Sequence, residues 1–274
     1  MTRSEPEPRF VTSPDGTPIA VFASGHGPPL VLVHGAAADH TTFRVVGPIF
    51  ERRFTVHAID RRGRGSSGDG EAYAIEREFE DVAAVAEAIA AESESGAPVP
   101  VVGHSFGGRA ALGAALRTPS IGSVVCYEGA PSAPGRTYQP PGAEDRVRER
   151  LEAGDRDGAL ATFMTEIAGM TADDLARYRE DPIWPRRVAA AHTVLRELHA
   201  EADPAASLEA LGRITQPVLQ ILGGASIAEF RDATHALAEH LADGHLDVID
   251  GARHSAHHTH PDTFVAAIEA FLRG

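Results

Sequence analysis

The stretch Val101-Val102-Gly103-His104-Ser105-Phe106-Gly107-Gly108 sets Gly-x-Ser-x-Gly directly between an apolar run and the helical segment Arg109 to Arg117. A strand that turns this sharply into a helix holds its middle residue in a strained backbone conformation. Glycines two positions to either side are then required, because a Cβ at either would collide with neighbouring backbone. Ser105 projects from such a turn at the N-terminus of the following helix, where amide dipoles favour developing negative charge.

Outward from this turn the chain alternates strand and helix. Short apolar runs occur at Leu30 to Val33, Phe54 to Ile59, Val99 to Val102, Val124 to Tyr127, Val218 to Leu222 and Leu246 to Ile249, the pattern of strands buried on both faces. Between them Phe79, Val82, Val85, Ala86 and Ile89 recur at helical spacing, as do Phe264, Ile268, Phe271 and Leu272 after Pro261. Upstream, Phe10-Val11-Thr12 and Ile19 to Ala23 flank the turn Ser13-Pro14-Asp15-Gly16 and predict an antiparallel hairpin. From Pro131 to Leu211 the alternation stops, and Arg146 to Ala153, Asp157 to Ile167 and Val188 to Leu198 each fit a helix. The expected fold class is α/β, a mostly parallel sheet of about eight strands flanked by helices, with an inserted helical cap. Its parts are residues 1–130, the first part of the core, 131–211, the cap, and 212–274, the second part of the core.

Composition narrows the chemistry. In 274 residues, 39 Asp and Glu against 25 basic residues, every one Arg, give a formal charge of −14, which repels nucleic acid. The single Cys126, inside an apolar run, excludes an intrachain disulfide and reads as a buried, inert thiol. Met1 to Arg9 is acidic and Pro-rich where a secretory leader needs basic and then apolar residues, and no apolar run approaches membrane-spanning length. A cytoplasmic protein with no membrane partner is expected, and association into homo-oligomers stays open.

A serine nucleophile requires a base. Asp250-Gly251-Ala252-Arg253-His254 follows the last apolar run, so His254 is expected on a loop at the carboxyl end of the sheet, where catalytic groups gather in open α/β folds. His257, His258 and His260 lie close by. They lack the partnering Cys or His-Glu-x-x-His spacing of a metal site, so neither metal nor cofactor is expected. His34-Gly35-Ala36-Ala37 leaves its strand on a small-residue turn, and the backbone N–H groups of Ala36 and Phe106 are the expected oxyanion donors. His34 itself reads as a loop-shaping hydrogen-bonder.

These marks, with Asp60-Arg61-Arg62-Gly63-Arg64-Gly65-Ser66-Ser67-Gly68, resemble the α/β-hydrolase fold family over nearly the whole chain. In that family the Asp60 to Gly63 segment is usually a structural loop that braces the elbow. The resemblance implies a third catalytic residue, an acid. The common position follows the seventh strand, where Leu222-Gly223-Gly224-Ala225-Ser226-Ile227 offers no carboxylate. Some members place the acid after the sixth strand, which here is Glu128. Glu229 and Asp232 remain alternatives. A serine at the elbow departs from haloalkane dehalogenases and epoxide hydrolases, whose nucleophile is Asp. The expected function is hydrolysis of a small, largely apolar carboxylic ester or related acyl substrate through an acyl-enzyme, with esters, lactones, thioesters and vinylogous C–C bonds all open. Met164, Met170, Phe163, Ile167, Trp184 and Leu195 offer apolar surface beyond what small helices need, most of it expected to pack internally, and a modest, mainly hydrophobic acyl or alcohol pocket is expected. Alternatives are a ligand-binding protein on this fold that has lost turnover, and a perhydrolase or cofactor-free haloperoxidase-like enzyme.

Overall fold

Successive side chains of a strand point to opposite faces, and here each face is apolar. Val31, Val33, Val101, Val124 and Cys126 enter one buried cluster, while Leu30, Leu32, Val102, Val125 and Tyr127 enter the other. A sheet buried on both sides results, with helices on each face. The structure is a computed structural model that describes residues 6–93 and 95–274. The beginning of the acidic N-terminal stretch, on which the expectation of a missing leader partly rests, lies outside the described residues.

Eight strands run β1 (Arg9–Thr12), β2 (Pro18–Gly25), β3 (Pro29–Val33), β4 (Thr55–Ile59), β5 (Val99–His104), β6 (Ile121–Tyr127), β7 (Val218–Gly223) and β8 (Gly244–Ile249), in the spatial order β1-β2-β4-β3-β5-β6-β7-β8. The first three in this order pair antiparallel and the rest parallel, so the predicted hairpin opens a mostly parallel sheet. Pairing of His104 with Tyr127 sets the end of β5 beside the end of β6.

The helix Ile75–Glu92 buries Phe79, Val82, Val85, Ala86 and Ile89 on one face of the sheet and packs closely on the helix Phe106–Ala115, where a Cβ on Gly113 would collide with the Phe79 ring. The helix Pro261–Leu272 covers the other face through Phe264, Val265 and Ile268. Cys126 is buried as expected, and desolvation pushes its thiol up to about 12.

Two expectations are corrected and one helix is added. The run Leu246 to Ile249 lies in β8, an edge strand, where Leu246 is 39% and Val248 44% exposed, so this part of the last strand is open to solvent on one face. The expected helix Val188 to Leu198 is two, Trp184–Ala190 and Val194–Ala200, separated by the tight turn Ala191–Thr193. An additional helix, Ala172–Arg179, buries only Leu175 and so carries little apolar periodicity; its signal is Thr171, whose hydroxyl caps the Asp174 N–H at 3.1 Å.

Between β6 and β7 the regular elements are helical turns alone. Ion pairs tie this segment to the sheet-bearing part: Asp39 to Arg186 and Arg187, Arg44 to Asp181, Asp69 to Arg196, Glu197 to Arg61 and Arg64, and Arg109 to Glu201. Among the described residues no helix is long and apolar enough to cross a membrane.

Candidate active site

At the end of β5 the backbone of Ser105 adopts φ 54°, ψ −129°, and Phe106 opens the helix, three residues earlier than the segment Arg109 to Arg117 suggests. Close packing enforces the turn. A Cβ on Gly107 would strike the carbonyl oxygens of Val33 and His34, and one on Gly103 would strike Gly107 and Gly108. The Ser105 N–H donates to the Tyr127 carbonyl at 2.8 Å, which extends the β5–β6 ladder onto the turn itself.

One residue beyond β6, Glu128 is also held at positive φ, 47°. Its side chain is fully buried, and both oxygens are occupied. Oε1 accepts from the Gly223 N–H at 2.8 Å and the Ser226 hydroxyl at 2.5 Å, and Oε2 lies 2.6 Å from His254 Nδ1. A carboxylate in this position takes a proton-bearing Nδ1, which leaves Nε2 of the ring with its lone pair free. His254 is 17% exposed, with its ring stacked on Phe230 at 4.2 Å between centroids and 6° between planes.

The loop carrying His254 is fixed from behind. Its carbonyl accepts from His104 Nε2 at 2.8 Å, and the Tyr127 hydroxyl donates to the Arg253 carbonyl while accepting from the Ala256 N–H at 2.9 Å. Desolvation holds the His104 and His257 rings well below the usual histidine range, so both stay neutral. The rings of His104, His257 and His258 lie 4.3–4.4 Å apart as successive neighbours, and His260 is bonded to Thr259. Among the described residues no three His, Cys, Asp or Glu side chains are grouped to hold a metal.

After β3, His34 Nδ1 lies 2.8 Å from the Gly35 carbonyl and Nε2 accepts the Arg61 N–H at 3.0 Å, so both ring nitrogens shape the loop. Arg61 also donates to the Gly35 carbonyl at 3.1 Å and to Glu78 at 2.8 and 3.0 Å. The arginine-rich loop is thus a brace. Ala37, at φ 45°, turns the chain past Ala36, and Phe106 as first residue of its helix has an N–H with no acceptor inside it.

Ser105, Glu128, His254, Ala36 and Phe106 line one cavity of about 50 Å³, together with Phe163 and Ile167 from a π-helical turn and with Tyr138, Phe230, Arg109, Glu197 and Glu201. Ala36, Ala168 and His254 are shared with a larger cleft of about 470 Å³ that Met164, Met170 and Tyr178 help to line. Trp184 and Leu195 line neither. The Trp184 indole N–H is bonded to Asp157 at 2.7 Å, and Leu195 packs against the core. Asp232 pairs with Arg136 at 3.5 Å, and neither it nor Glu229 lines the cavity. Ser226, Phe230 and Glu197 carry no motif and meet the site only through long-range folding.

Residues 30–267 match the alpha/beta hydrolase family. Over 267 residues the chain is 26% identical to the pimeloyl-[acyl-carrier protein] methyl ester esterase of Nitrosomonas europaea, covering 92% of this chain and 98% of that protein. It is 28% identical to the N-formylmaleamate deformylase of Pseudomonas putida over 258 residues, 90% of each. Among solved structures, an alpha/beta hydrolase from Sphaerobacter thermophilus shares 34% of its sequence with a TM-score of 0.75, over 88% of this chain and 91% of that one.

Proposed function

The chain belongs to the alpha/beta hydrolase family, and from that premise we propose that it hydrolyses a small carboxylic ester or related acyl substrate through an acyl-enzyme on Ser105. One observation carries the reading: the 2.6 Å contact of His254 Nδ1 with a buried carboxylate, in the cavity that Ser105 lines. With Nδ1–H given to Glu128, His254 Nε2 takes the Ser105 proton as Oγ attacks the carbonyl carbon. The N–H groups of Ala36 and Phe106 receive the oxyanion. Nε2–H then protonates the leaving alkoxide, and water, deprotonated by the same nitrogen, attacks the acyl-enzyme, releases the acid and returns the proton to Ser105.

The two spaces beside His254 differ about ninefold in volume. Ser105 lines only the smaller, so the acyl group belongs there and the leaving group in the larger cleft. In this reading residues 131–211 form a cap, since Tyr138, Phe163, Ile167, Leu198 and Glu201 from that stretch wall the acyl cavity. Of the relatives' names, the deformylase refers to a one-carbon acyl group, whereas in the methyl ester esterase the short group is the alcohol. Glu128 supports turnover against a binding protein, because it offers His254 the carboxylate that the loop after β7 lacks.

A fluorophosphonate probe tests this. Labelling of the native protein, absent in Ser105→Ala along with hydrolysis of p-nitrophenyl acetate, is the expected outcome, with stability changed by less than about 1 kcal/mol. Undiminished turnover by Ser105→Ala overturns the assignment.

A further inference from the structure

The acyl cavity contains a carboxylate that the reaction does not use. Glu197, on the helix Val194–Ala200, has a side chain only 3% exposed. Its Oε1 accepts from Arg61 and Arg64, each at 2.5 Å, whereas Oε2 is buried without any hydrogen-bond partner. The residue lines the cavity, and the guanidiniums occupy one oxygen, which leaves Oε2 without a donor from the protein. A buried acceptor without a donor loses its hydration and gains nothing in return, unless the ligand supplies the donor.

The charge of the wall points the same way. Glu128, Glu197 and Glu201 line the cavity against Arg109 alone, and that guanidinium is already engaged by Glu201 and by the carbonyls of Gly129 at 3.3 Å and Ala130 at 2.7 Å. No cation is left to meet an anionic acyl tail. The cavity, near 50 Å³, is about ninefold smaller than the adjoining cleft and suits a short acyl chain.

We propose that Glu197 Oε2 selects the substrate, accepting a hydrogen bond from a hydroxyl or ammonium group on a short acyl chain. The inference rests on the reading of Ser105 as nucleophile in this cavity. A glycolyl or glycyl group has the size and the donor. A purely alkyl chain of equal length leaves Oε2 unpaired, as does an acyl tail ending in carboxylate, which is repelled as well.

The test compares ethyl glycolate, ethyl glycinate below the pKa of its amine, and ethyl propionate, with each kcat/KM divided by the ester's own hydroxide-catalysed rate to remove inductive activation. The native enzyme should prefer at least one donor-bearing ester by tenfold or more, and the two arms separate a neutral from a cationic donor. Glu197→Gln keeps an oxygen for Arg61 and Arg64 and turns an amide N–H₂ to the guest, so the preference for the ammonium ester should fall to about one or invert. Because an N–H₂ still donates to a hydroxyl oxygen, the hydroxyl preference is tested with Glu197→Leu, where it should fall to about one. Should a variant not fold, the native ratios decide alone. Ligand-observed NMR with Ser105→Ala gives a second readout that needs no turnover. A donor preference there without hydrolysis by the native protein overturns the nucleophile and leaves Glu197 standing. Equal or better handling of propionate, in rate or in binding, overturns the role of Glu197, and so does an ammonium preference that survives Glu197→Gln or a hydroxyl preference that survives Glu197→Leu.

Discussion

Ala37, Ser105 and Glu128 are the non-glycine residues with positive φ among the described residues; Ser105 and Glu128 line one cavity, and Ala37 lines the cleft beside it. Each such conformation costs about 1–3 kcal/mol and persists only where the surroundings over-determine it. At Glu128 the surroundings are visible: Gly223 and Ser226 hold one oxygen while the other meets His254. Glu128→Gln preserves the shape but presents an N–H₂ to a ring N–H, so His254 must reverse its tautomer. The turnover number is expected to fall by about a thousandfold or more, while Glu229→Gln and Asp232→Asn, neither of which lines the cavity, change it by no more than a few-fold; steady-state kinetics on the three variants checks this. Ser105 and His254 were legible because the local run around each fixes its place. Glu128 emerged only through the family resemblance, since its partner lies 126 residues away. Phe230 and Glu197 had no local signature at all, being brought to the site by the packing of helices whose order in space no periodicity records.

The elbow is an element built by close approach. Gly107 sits against the carbonyls of Val33 and His34, which belong to the backbone of a neighbouring strand and its loop and cannot swing aside. Gly107→Ala should therefore destabilise the protein by about 1–3 kcal/mol and depress activity with it, because relief requires the turn to move. Gly47 has open space around its missing side chain and no positive φ, so Gly47→Ala should be neutral or stabilise by up to about 1 kcal/mol. Urea denaturation of the pair separates the two cases. Among the other elements, those that bury one continuous apolar face were readable, as in Ile75–Glu92. The edge strand β8 misled because Leu246 and Val248 are apolar without being covered, and Ala172–Arg179 escaped because a helix with one buried residue leaves almost no stripe.

For the whole molecule, several histidines are buried as neutral rings. Desolvation holds His34, His104 and His257 well below the ordinary value and brings His57 down to about 4. Below about pH 6.5 the unfolded chain binds protons at these positions and the native protein does not. The unfolding free energy is therefore full above that pH and falls as pH drops towards 4, by up to about 1.4 kcal/mol per histidine per pH unit. Urea midpoints should decline clearly from pH 7 to pH 5; a flat profile contradicts the burial of these rings. The ion pairs between the helical segment and the sheet-bearing part have a kinetic consequence. Losing one partner of a buried pair costs about 3–5 kcal/mol, and Glu197 and Arg187 belong to pairs of this kind. Raising the segment as a body breaks several at once, so on the proposed acyl-enzyme route the standing cleft beside His254 is the expected passage. On that route the alcohol departs first, water enters next and the acid leaves last. How long the acid stays is a property of a doorway's width and not of a hinge.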